Sequence, residues 1–330
     1  MKIRGECALG CKTISILTSG GDAPGMNAAI RAIVRASISN GIKVLGVRRG
    51  FNGLINGDVF EMNIRSVSDI IHKGGTILYT ARSPEFRTQQ SVLKAAKVCG
   101  ELGIDSVIVI GGDGSFKGAR SLSKMGIPCI GIPGTIDNDI ACSEYAIGYD
   151  TAMNTAMEMI DKIRDTAQSH DRCSIVEVMG RKCGDIALNT GIAVGATAIL
   201  VPEVKYDIDK DIIDRIKFTQ NIGKKHFIII VAEGLKNVNK VSKEIKKRTG
   251  IDSRITILGH VQRGGTPTLK DRVMASKMGC MAVDMLIHGI NDKIIAIKND
   301  KVIYMDILKA LSVKKHFDIE LYRKALNISI

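Results

Sequence analysis

The chain contains no tryptophan, only 6 prolines and few aromatic residues, which make up 4% of its 330 residues. It also lacks low-complexity tracts, and hydrophobic residues account for 45% of it, which excludes a disordered or fibrous protein. The longest apolar stretch, near residues 191–201, is interrupted by glycine and threonine and falls short of the ~18 residues that a membrane-spanning helix requires. These absences predict a globular protein of about two domains with no membrane partner.

The 8 cysteines form no C-x-x-C pair and no cluster with the spacing of zinc ligands. We interpret them as reduced thiols, mostly in the core. The charged start of the chain, which contains Cys7 and Cys11, resembles neither a signal peptide nor a lipoprotein anchor. The sequence therefore predicts a cytoplasmic location. A thiol pair or metal site at these two cysteines is less favoured than a frayed terminus.

The formal net charge of +13 at pH 7 suggests a nucleic-acid surface, because basic patches neutralise phosphates. The lysines are dispersed, however, and aromatic residues that would stack on bases are few. The densest run, residues 240–248, alternates with apolar residues as the exposed face of a helix does. We therefore expect no nucleic-acid partner and interpret the charge as a field that gathers anionic substrates.

Short β-branched runs alternate with helical stretches along the chain. Several runs are apolar without alternation, as in parallel strands that are buried on both faces. Strands are predicted at residues 14–17, 44–47, 107–110, 129–132, 175–178, 199–201, 227–231 and 255–258, and helices at 26–40, 89–102, 115–124, 149–167, 209–220 and 271–288. This alternation predicts an α/β fold with parallel sheets, whose ligands bind at the carboxyl ends of strands.

Residues 18–27 (TSGGDAPGMN) follow the first strand and open the first long helix. The spacing of Gly20 and Gly25 imitates a P-loop, but Met26 stands where the phosphate-binding lysine is required, so a P-loop is excluded. The backbone amides and the helix start can still hold phosphate, and a plain strand-to-helix turn is the alternative.

Residues 111–115 (GGDGS) end an uncharged strand and lead directly into a helix. Glycines let the backbone approach phosphate oxygens closely, and a helix N-terminus favours their charge. Asp113 is then placed to hold Mg²⁺ directly or through water. The alternative is that Asp113 only caps the helix, a role that does not need a glycine on each side.

Residues 133–139 (PGTIDND) set Thr135, Asp137 and Asp139 on one turn. On an extended turn both carboxylates face one cleft, one for an accepting hydroxyl and the other for a metal or a neighbouring hydroxyl. A structural Asx turn would account for one aspartate only. With the phosphate cradle above, this turn predicts phosphoryl transfer to an alcohol.

From Thr13 onward the chain resembles the bacterial ATP-dependent 6-phosphofructokinases, through the three motifs above and through residues 176–181 (VEVMGR) and 258–265 (LGHVQRGG). The resemblance implies two Rossmann-like three-layer α/β domains with mostly parallel sheets, between which the chain crosses. Residues 1–148 and 262–311 would form the ATP-binding domain, and residues 149–261 and 312–330 the sugar-phosphate-binding domain. It also implies a homotetramer with shared active sites. The implied reaction is the committed step of glycolysis, a Mg²⁺-dependent transfer of the ATP γ-phosphate to the 1-hydroxyl of fructose 6-phosphate.

The same resemblance assigns roles to individual residues. Asp137 is the implied base and Asp113 the implied metal ligand; Thr135, Arg82 and Arg181 are implied to be catalytic, and both arginines suit charge on the transferred phosphoryl group. The implied ATP-binding residues are Gly21, Arg82, Ser83, Gly112, Asp113, Gly114 and Ser115. The implied sugar-phosphate residues are Thr135, Asp137, Asp139, Arg172, Met179, Gly180, Arg181, Glu233, Arg254, His260 and Arg263. Among these, Arg172, Arg254, His260 and Arg263 resemble a clamp for the 6-phosphate, the first two donated by a neighbouring subunit.

An effector site for ADP or phosphoenolpyruvate is also implied, at Arg31, Arg35, Arg164, Lys224, Lys225 and His226. Thr197 stands where relatives usually have a glutamate that coordinates the effector's Mg²⁺, and Ile222 replaces a usual lysine. Arg65 is displaced by one residue from the usual pattern. Because lost ligands reduce the differential affinity of an effector for two states, the sequence predicts weak or absent activation by ADP.

Three alternatives stay open at this point. The nearest is a pyrophosphate-dependent enzyme, which glycine at positions 114 and 134 disfavours because these residues leave room for the larger donor. A kinase of another small molecule would share only the glycine motif, and residues 133–139 argue against it. A catalytically silent, basic binding protein would have no reason to keep Asp113, Asp137 and Arg181 together.

Overall fold

The computed structural model describes residues 11–329, so the prediction for Cys7 lies outside the described residues. Its strands are β1 (Thr13–Ser19), β2 (Lys43–Val47), β3 (Val59–Met62), β4 (Ser106–Gly111), β5 (Cys129–Pro133), β6 (Cys173–Val178), β7 (Ala198–Leu200), β8 (Phe227–Ala232), β9 (Ser253–Ile257), β10 (Lys293–Lys298) and β11 (Lys301–Asp306). They form a 7-stranded sheet in the order β11-β10-β5-β4-β1-β2-β3 and a 4-stranded sheet in the order β7-β8-β6-β9. All pairings are parallel except the two edge pairs of the larger sheet, β2 with β3 and β10 with β11.

The α-helices lie between these strands and at the end of the chain. They are α1 (Met26–Ser39), α2 (Gly50–Asn56), α3 (Gln89–Glu101), α4 (Asp113–Ser123), α5 (Tyr149–Ser169), α6 (Asp185–Ala193), α7 (Asp214–Asn221), α8 (Val238–Thr249), α9 (Leu269–Ile287), α10 (Ile307–Ser312) and α11 (Ile319–Ile328). Short 3-10 helices span Ile64–Val67, Pro84–Arg87, Glu233–Leu235 and Gly259–Arg263, and a π-helical turn, Asp209–Ile213, precedes α7. The α/β fold class with mostly parallel sheets is thereby confirmed.

The chain divides into two compact units. The larger unit contains the described residues up to Ile136, then Ile140–Asp150 and Arg263–Lys315; the smaller unit contains Asp137–Asp139, Thr151–Gln262 and the chain from His316 onward. The chain therefore passes between the units several times. The 7-stranded sheet belongs to the larger unit and the 4-stranded sheet to the smaller one.

Each unit has its own apolar core around the central strands of its sheet. Every residue of β4, β5 and β8 is buried. Helices therefore cover both faces of these strands, which explains why their sequences are apolar without alternation.

All cysteines among residues 11–329 are free thiols, and burial raises the pKa of Cys99 and of Cys142 to about 11. Within the same residues, no helix is both long and apolar enough to cross a membrane.

Candidate active site

Three loops of the larger unit meet at the carboxyl ends of β1 and β4, which are paired in parallel. The Ser115 hydroxyl donates a hydrogen bond of 3.0 Å to the Ser19 carbonyl. The Gly20 N–H donates to the Ala81 carbonyl at 3.4 Å, and the Thr80 hydroxyl donates to the Gly20 carbonyl at 3.0 Å. The structure thereby brings together the predicted ATP-binding segments around residues 21, 82–83 and 112–115.

The glycines of residues 111–115 have different roles, one in packing and two in leaving open space. A Cβ on Gly111 would lie 2.4 Å from the Ser19 carbonyl oxygen, so this position requires glycine for the two strand ends to pack. A Cβ on Gly112 or Gly114 would have no described atom within 4 Å. The start of α4 is therefore open, with main-chain N–H groups available to an anion.

Asp113 does not cap α4. The N-cap is Gly112, and Asp113 is the first helical residue, with its Oδ2 2.6 Å from Lys117 Nζ one turn later. The capping alternative is therefore wrong. The Asp113 side chain is 42% exposed, so its carboxylate is accessible to a cation at the open helix start.

The side chain of Ser83 has a hydrogen-bonding group that the described residues leave unused. Its hydroxyl oxygen is buried and has no hydrogen-bond partner among residues 11–329, and Arg82 beside it is exposed. Buried polar groups are normally hydrogen-bonded, so an incoming acceptor would complete this site.

Asn27 holds the loop that leads to Arg82, a role that the sequence analysis does not assign. Its amide Nδ2 donates to the carbonyls of Lys73 (3.1 Å) and Gly74 (3.2 Å), and its Oδ1 accepts from the Ile77 N–H at 2.8 Å. With only 1% of its surface exposed, Asn27 fixes this loop to the start of α1. Its place inside the motif of residues 18–27 is the signal that points to it.

The surroundings of Gly134 contradict the prediction that this glycine leaves room for the phosphate donor. A Cβ there would lie 3.0 Å from Ile110 Cγ2 and 3.2 Å from Met26 Cε, so this glycine faces the packed interior of the larger unit and leaves no room for a donor. Of the two glycines taken to favour ATP, only Gly114 faces open space.

The Arg263 guanidinium lies in the larger unit, where its Nη1 donates to the Asp22 carbonyl at 3.1 Å. A Cβ on Gly21 would lie 2.4 Å from the same Nη1. The structure thus places Arg263 beside the predicted ATP loop, whereas Arg172 and Arg254 belong to the smaller unit.

In the smaller unit, the ends of the neighbouring parallel strands β6 and β8 carry the predicted sugar residues. Glu233 Oε1 accepts hydrogen bonds from the N–H groups of Arg181 (2.6 Å) and Gly180 (3.3 Å). The Arg181 guanidinium donates to Asp139 Oδ2 at 3.2 Å. These four predicted residues therefore form one polar cluster at the carboxyl edge of the sheet.

Gly180 adopts a φ of 140°, a conformation that favours glycine, and a Cβ there would lie 2.5 Å from the Cys183 carbonyl. The preceding Met179 N–H donates to Gln262 Oε1 at 2.8 Å. This bond connects the β6 loop to the 3-10 helix after β9, which carries the exposed His260.

The turn with the predicted base is buried. Asp137 is 5% exposed, and its neighbour Asn138, with φ 49°, donates through Nδ2 to Asp185 Oδ2 at 3.0 Å. Asp185 begins α6 and therefore anchors this turn, although the sequence analysis does not single it out. Glu177 on β6 has a pKa raised by burial and, to a lesser extent, by the charge of Glu233.

Arg172 and Arg254 lie at the amino ends of the strands of the same sheet, opposite the carboxyl ends that carry the sugar residues. Arg172 immediately precedes β6, Arg254 is near the start of β9, and both pair with Asp252 Oδ2, at 3.4 and 3.2 Å. A six-residue strand spans about 20 Å, so within one chain these arginines are far from Gly180 and Glu233. Within the smaller unit, Arg172 and Arg254 are therefore not brought together with Gly180 or Glu233.

The basic residues predicted to bind an effector are divided between the two units. Arg31 and Arg35 lie on α1 of the larger unit, and Arg164, Lys224, Lys225 and His226 belong to the smaller unit. The Arg164 guanidinium donates to the Val194 carbonyl, and Lys224 Nζ donates to Thr197 Oγ1 at 3.3 Å. Burial and then the charge of Arg164 lower the pKa of Lys224; burial, Lys224 and Arg164 lower that of His226. Lys224 and Lys225 line a cavity of ≈ 260 Å³.

Comparisons with known proteins agree with this geometry. The phosphofructokinase family model matches residues 13–286. A protein of Clostridium botulinum (strain Hall) named ATP-dependent 6-phosphofructokinase is 56% identical over 318 residues, which cover 96% of this chain and 99% of the relative. A protein of the same name from Clostridioides difficile (strain 630) is 55% identical over 319 residues, covering 97% of this chain and 100% of the relative.

Solved structures agree as well. The phosphofructokinase of Saccharomyces cerevisiae superposes with a TM-score of 0.88 at 33% identity, covering 96% of this chain and 50% of that chain. A pyrophosphate-dependent phosphofructokinase from Marinobacter aquaeolei has a TM-score of 0.83 at 21% identity, over 97% of this chain and 91% of that one, and shows the shared fold alone. On the family match and the near-complete coverage by its relatives, this chain belongs to the phosphofructokinase family.

Proposed function

We propose that this chain is an ATP-dependent 6-phosphofructokinase, a glycolytic kinase that phosphorylates the 1-hydroxyl of fructose 6-phosphate. The observation that carries the proposal is the 56% identity over 96% of the chain to a relative named for this reaction. The open start of α4 and the buried Ser83 hydroxyl, which lacks a partner among the described residues, support it as groups that can bind the phosphates of a nucleotide. An enzyme of glycolysis acts in the cytoplasm, where we expect this one.

The larger unit would bind ATP. The main-chain N–H groups of Gly112, Asp113 and Gly114 would donate hydrogen bonds to phosphate oxygens, aided by the partial positive charge of the helix start, whereas the Ser115 N–H already donates to the Gly112 carbonyl at 2.9 Å. Asp113 would hold Mg²⁺, directly or through water, and the metal would neutralise phosphate charge. Arg82, exposed and next to this loop, would stabilise charge on the phosphoryl group.

The smaller unit would bind the sugar. Asp139, Gly180 and Glu233 already form one cluster with Arg181, whose guanidinium donates one hydrogen bond to Asp139; because the side chain is 69% exposed, its other N–H groups would face charge on the phosphoryl group. Asp137 would accept the proton of the 1-hydroxyl, because an oxygen nucleophile attacks more readily as its proton leaves. Met179 would complete the sugar contact and Thr135, on the same turn, would assist the transfer.

A second copy of the chain would complete the 6-phosphate site. Arg172 and Arg254 lie at the amino ends of their strands, whereas Glu233 lies at the carboxyl end of β8. The arginines of one chain and the sugar loop of another chain would therefore bind the same 6-phosphate group. His260 and Arg263 would contribute from the chain that binds the sugar. This arrangement supports the homotetramer that the sequence implies.

Two measurements test the proposal. Initial rates with fructose 6-phosphate and Mg²⁺ should show fructose 1,6-bisphosphate formed with ATP and not with pyrophosphate; turnover with pyrophosphate alone would reverse the donor assignment. Asp137→Ser should lower kcat by several orders of magnitude with little change in substrate binding, and a near-normal kcat would remove its assigned role.

The basic residues Arg164, Lys224, Lys225 and His226 would form a second site, for an anionic effector such as phosphoenolpyruvate or ADP. The lowered pKa values of Lys224 and His226 reflect both burial and unrelieved positive charge, which an anion would relieve. Isothermal titration of each effector into the enzyme tests this site directly, and Lys224→Met should abolish the binding.

A further inference from the structure

Asp271 is a fully buried carboxylate that the proposed mechanism does not use. It lies in the first turn of α9, whose N-cap, Thr268, accepts a hydrogen bond from the Asp271 N–H. Its Oδ1 accepts from the Gly148 N–H at 2.7 Å and from the Tyr145 hydroxyl. A buried ionisable group is tolerated only when it is hydrogen-bonded, so Asp271 and residues 145–148 hold each other in place.

The two donors flank Ile147, which contacts the end of β5. The Ile147 N–H donates to the Pro133 carbonyl at 2.9 Å, and Ile147 forms an isolated parallel bridge with Gly134. Pro133 is the last residue of β5, and Gly134 leads directly into the turn of residues 135–139. Asp271 is therefore connected to the residues before that turn by its bond to Gly148, the main chain from Gly148 to Ile147, and the bond from Ile147 to Pro133.

The same point also touches the loop of residues 18–27. Gly25, the N-cap of α1, has φ 106°. A Cβ on this glycine would lie 2.7 Å from Ile147 Cγ2 and 3.4 Å from Asp271 Cβ. Because these groups are close-packed, a displacement of Ile147 would be transmitted to its neighbours rather than absorbed by empty space.

We propose that Asp271 is a positioning residue for phosphoryl transfer. Its carboxylate anchors residues 145–148, and through Ile147 it sets the position of Pro133 and Gly134, from which the chain leads into the turn that carries Thr135 and Asp137. The kinetic part of this inference rests on the proposed function, whereas the anchoring itself does not. Because Asp271 is fully buried, it would act on the reaction through the main chain beside β5.

Asp271→Asn tests the proposal, with Asp292→Asn as a matched control. Asp292 Oδ1 accepts the Cys129 N–H at 3.1 Å, so it performs the same kind of main-chain anchoring at the opposite end of β5. A misplacement of about 1 Å can cost about 100-fold in rate. We expect Asp271→Asn to lower kcat at least about ten-fold while the KM values for ATP and fructose 6-phosphate stay within about two-fold. Asp292→Asn should lower the melting temperature without this loss of kcat.

Hydrogen exchange followed by mass spectrometry gives a readout besides activity. Peptides that cover residues 133–148 should exchange faster in Asp271→Asn than in the wild type or in Asp292→Asn. A wild-type enzyme without phosphofructokinase activity would refute the proposed function and leave this exchange test intact. An active wild type, with kcat and exchange unchanged in Asp271→Asn, would overturn the positioning role.

Tyr145→Phe keeps the test decisive if Asp271→Asn does not fold. It removes the Tyr145 donor to Asp271 and leaves the Gly148 bond. We expect a smaller fall in kcat, about three-fold, with unchanged KM values and faster exchange of residues 133–148. Unchanged kcat and exchange in this variant would overturn the proposal.

Discussion

Two glycines, Gly114 and Gly134, make a paired experiment because the structure assigns them opposite surroundings. A Cβ on Gly114 would meet no described atom within 4 Å, whereas a Cβ on Gly134 would lie 3.0 Å from Ile110 Cγ2 and 3.2 Å from Met26 Cε. Neither has a φ in the left-handed region, so alanine fits both backbones. Gly114→Ala and Gly134→Ala should therefore change stability in opposite directions, and only Gly114→Ala should weaken ATP binding.

Gly114→Ala should stabilise the protein and weaken ATP binding. Gly114 lies inside α4, where alanine is favoured over glycine by about 0.5–1 kcal/mol, which should raise the melting temperature by about 1–4 °C. The added methyl group would keep phosphate oxygens from the main-chain N–H groups of the helix start. Loss of one charge-assisted hydrogen bond costs about 1.5–3 kcal/mol, so the KM for ATP should rise about ten- to hundred-fold.

Gly134→Ala should destabilise the protein and leave ATP binding unchanged. Overpacking a core costs about 1–3 kcal/mol, and the reduced entropy of the unfolded chain returns about 0.4–1 kcal/mol of this. The net loss of about 1–2 kcal/mol corresponds to a melting temperature lower by about 2–8 °C. The Met26 side chain is fully buried but ends in a flexible thioether, which keeps the cost at the lower end.

Calorimetric melting of both variants and initial rates at varied ATP, with saturating fructose 6-phosphate, measure the two effects. The KM for fructose 6-phosphate is the internal control and should stay constant in both. An unchanged KM for ATP in Gly114→Ala would refute the placement of phosphates at the start of α4. A raised KM for ATP in Gly134→Ala, without a change in melting temperature, would return Gly134 to the donor site.

Three further predictions concern the metal and the effector. The Lys117–Asp113 ion pair is exposed and contributes only about 0.3–0.5 kcal/mol to stability. Lys117→Met should therefore tighten apparent Mg²⁺ binding, measured from activity at fixed ATP, by no more than about three-fold. A ten-fold weakening would mean that Lys117 itself binds phosphate. Thr197 and Ile222 stand in place of the usual effector ligands, so ADP titrated at low fructose 6-phosphate should raise the reaction rate less than about two-fold. Strong activation by ADP would contradict this prediction. The pKa of His226 is lowered by burial and by the charges of Lys224 and Arg164, and a bound anion would favour the protonated ring; His226→Gln should therefore weaken phosphoenolpyruvate binding more at pH 5.5 than at pH 7.5, and an equal loss at both pH values would contradict a role for this ring.

The strands that the sequence predicted best are those buried on both faces. β4, β5 and β8 are continuous apolar runs because helices cover both sides of them, and this composition is visible without the structure. The β10–β11 hairpin is absent from the prediction, although its signal is present. Two six-residue runs flank Asn299 and Asp300, whose φ values of 49° and 58° form the two-residue turn that such hairpins prefer.

Helix α6 was missed for a different reason. It lies in a mostly buried environment, so its apolar residues show no amphipathic period that could mark it as a helix. The sequence instead suggested only an apolar stretch near residues 191–201. Its first residue, Asp185, holds the turn of the predicted base, and this role depends on a contact with Asn138 that no local pattern encodes.

Prediction from the sequence has the same limit for the side chains of the site, because it identifies residues but not their orientation. Motifs identified which residues belong to the phosphate and sugar loops, because glycines and carboxylates at fixed spacing have a chemical purpose. They could not give the direction of each Cβ, which is why Gly134, chosen with Gly114 for the same role, proved to be a packing residue. Direction is set by contacts with distant parts of the chain. Ser115 bonds to Ser19, 96 residues away, and Arg263 bonds to Asp22, 241 residues away.

Asp271 illustrates what such distances imply for function. Its bond to Gly148 spans 123 residues, and neither residue lies in a motif that predicts chemistry. A sequence motif marks atoms that contact a substrate, whereas the rate of phosphoryl transfer also depends on how firmly those atoms are held, since the reaction has little covalent chemistry beyond positioning and charge. The buried groups that hold the turn of residues 135–139 from outside the motifs are therefore the part of this site that only the fold can reveal.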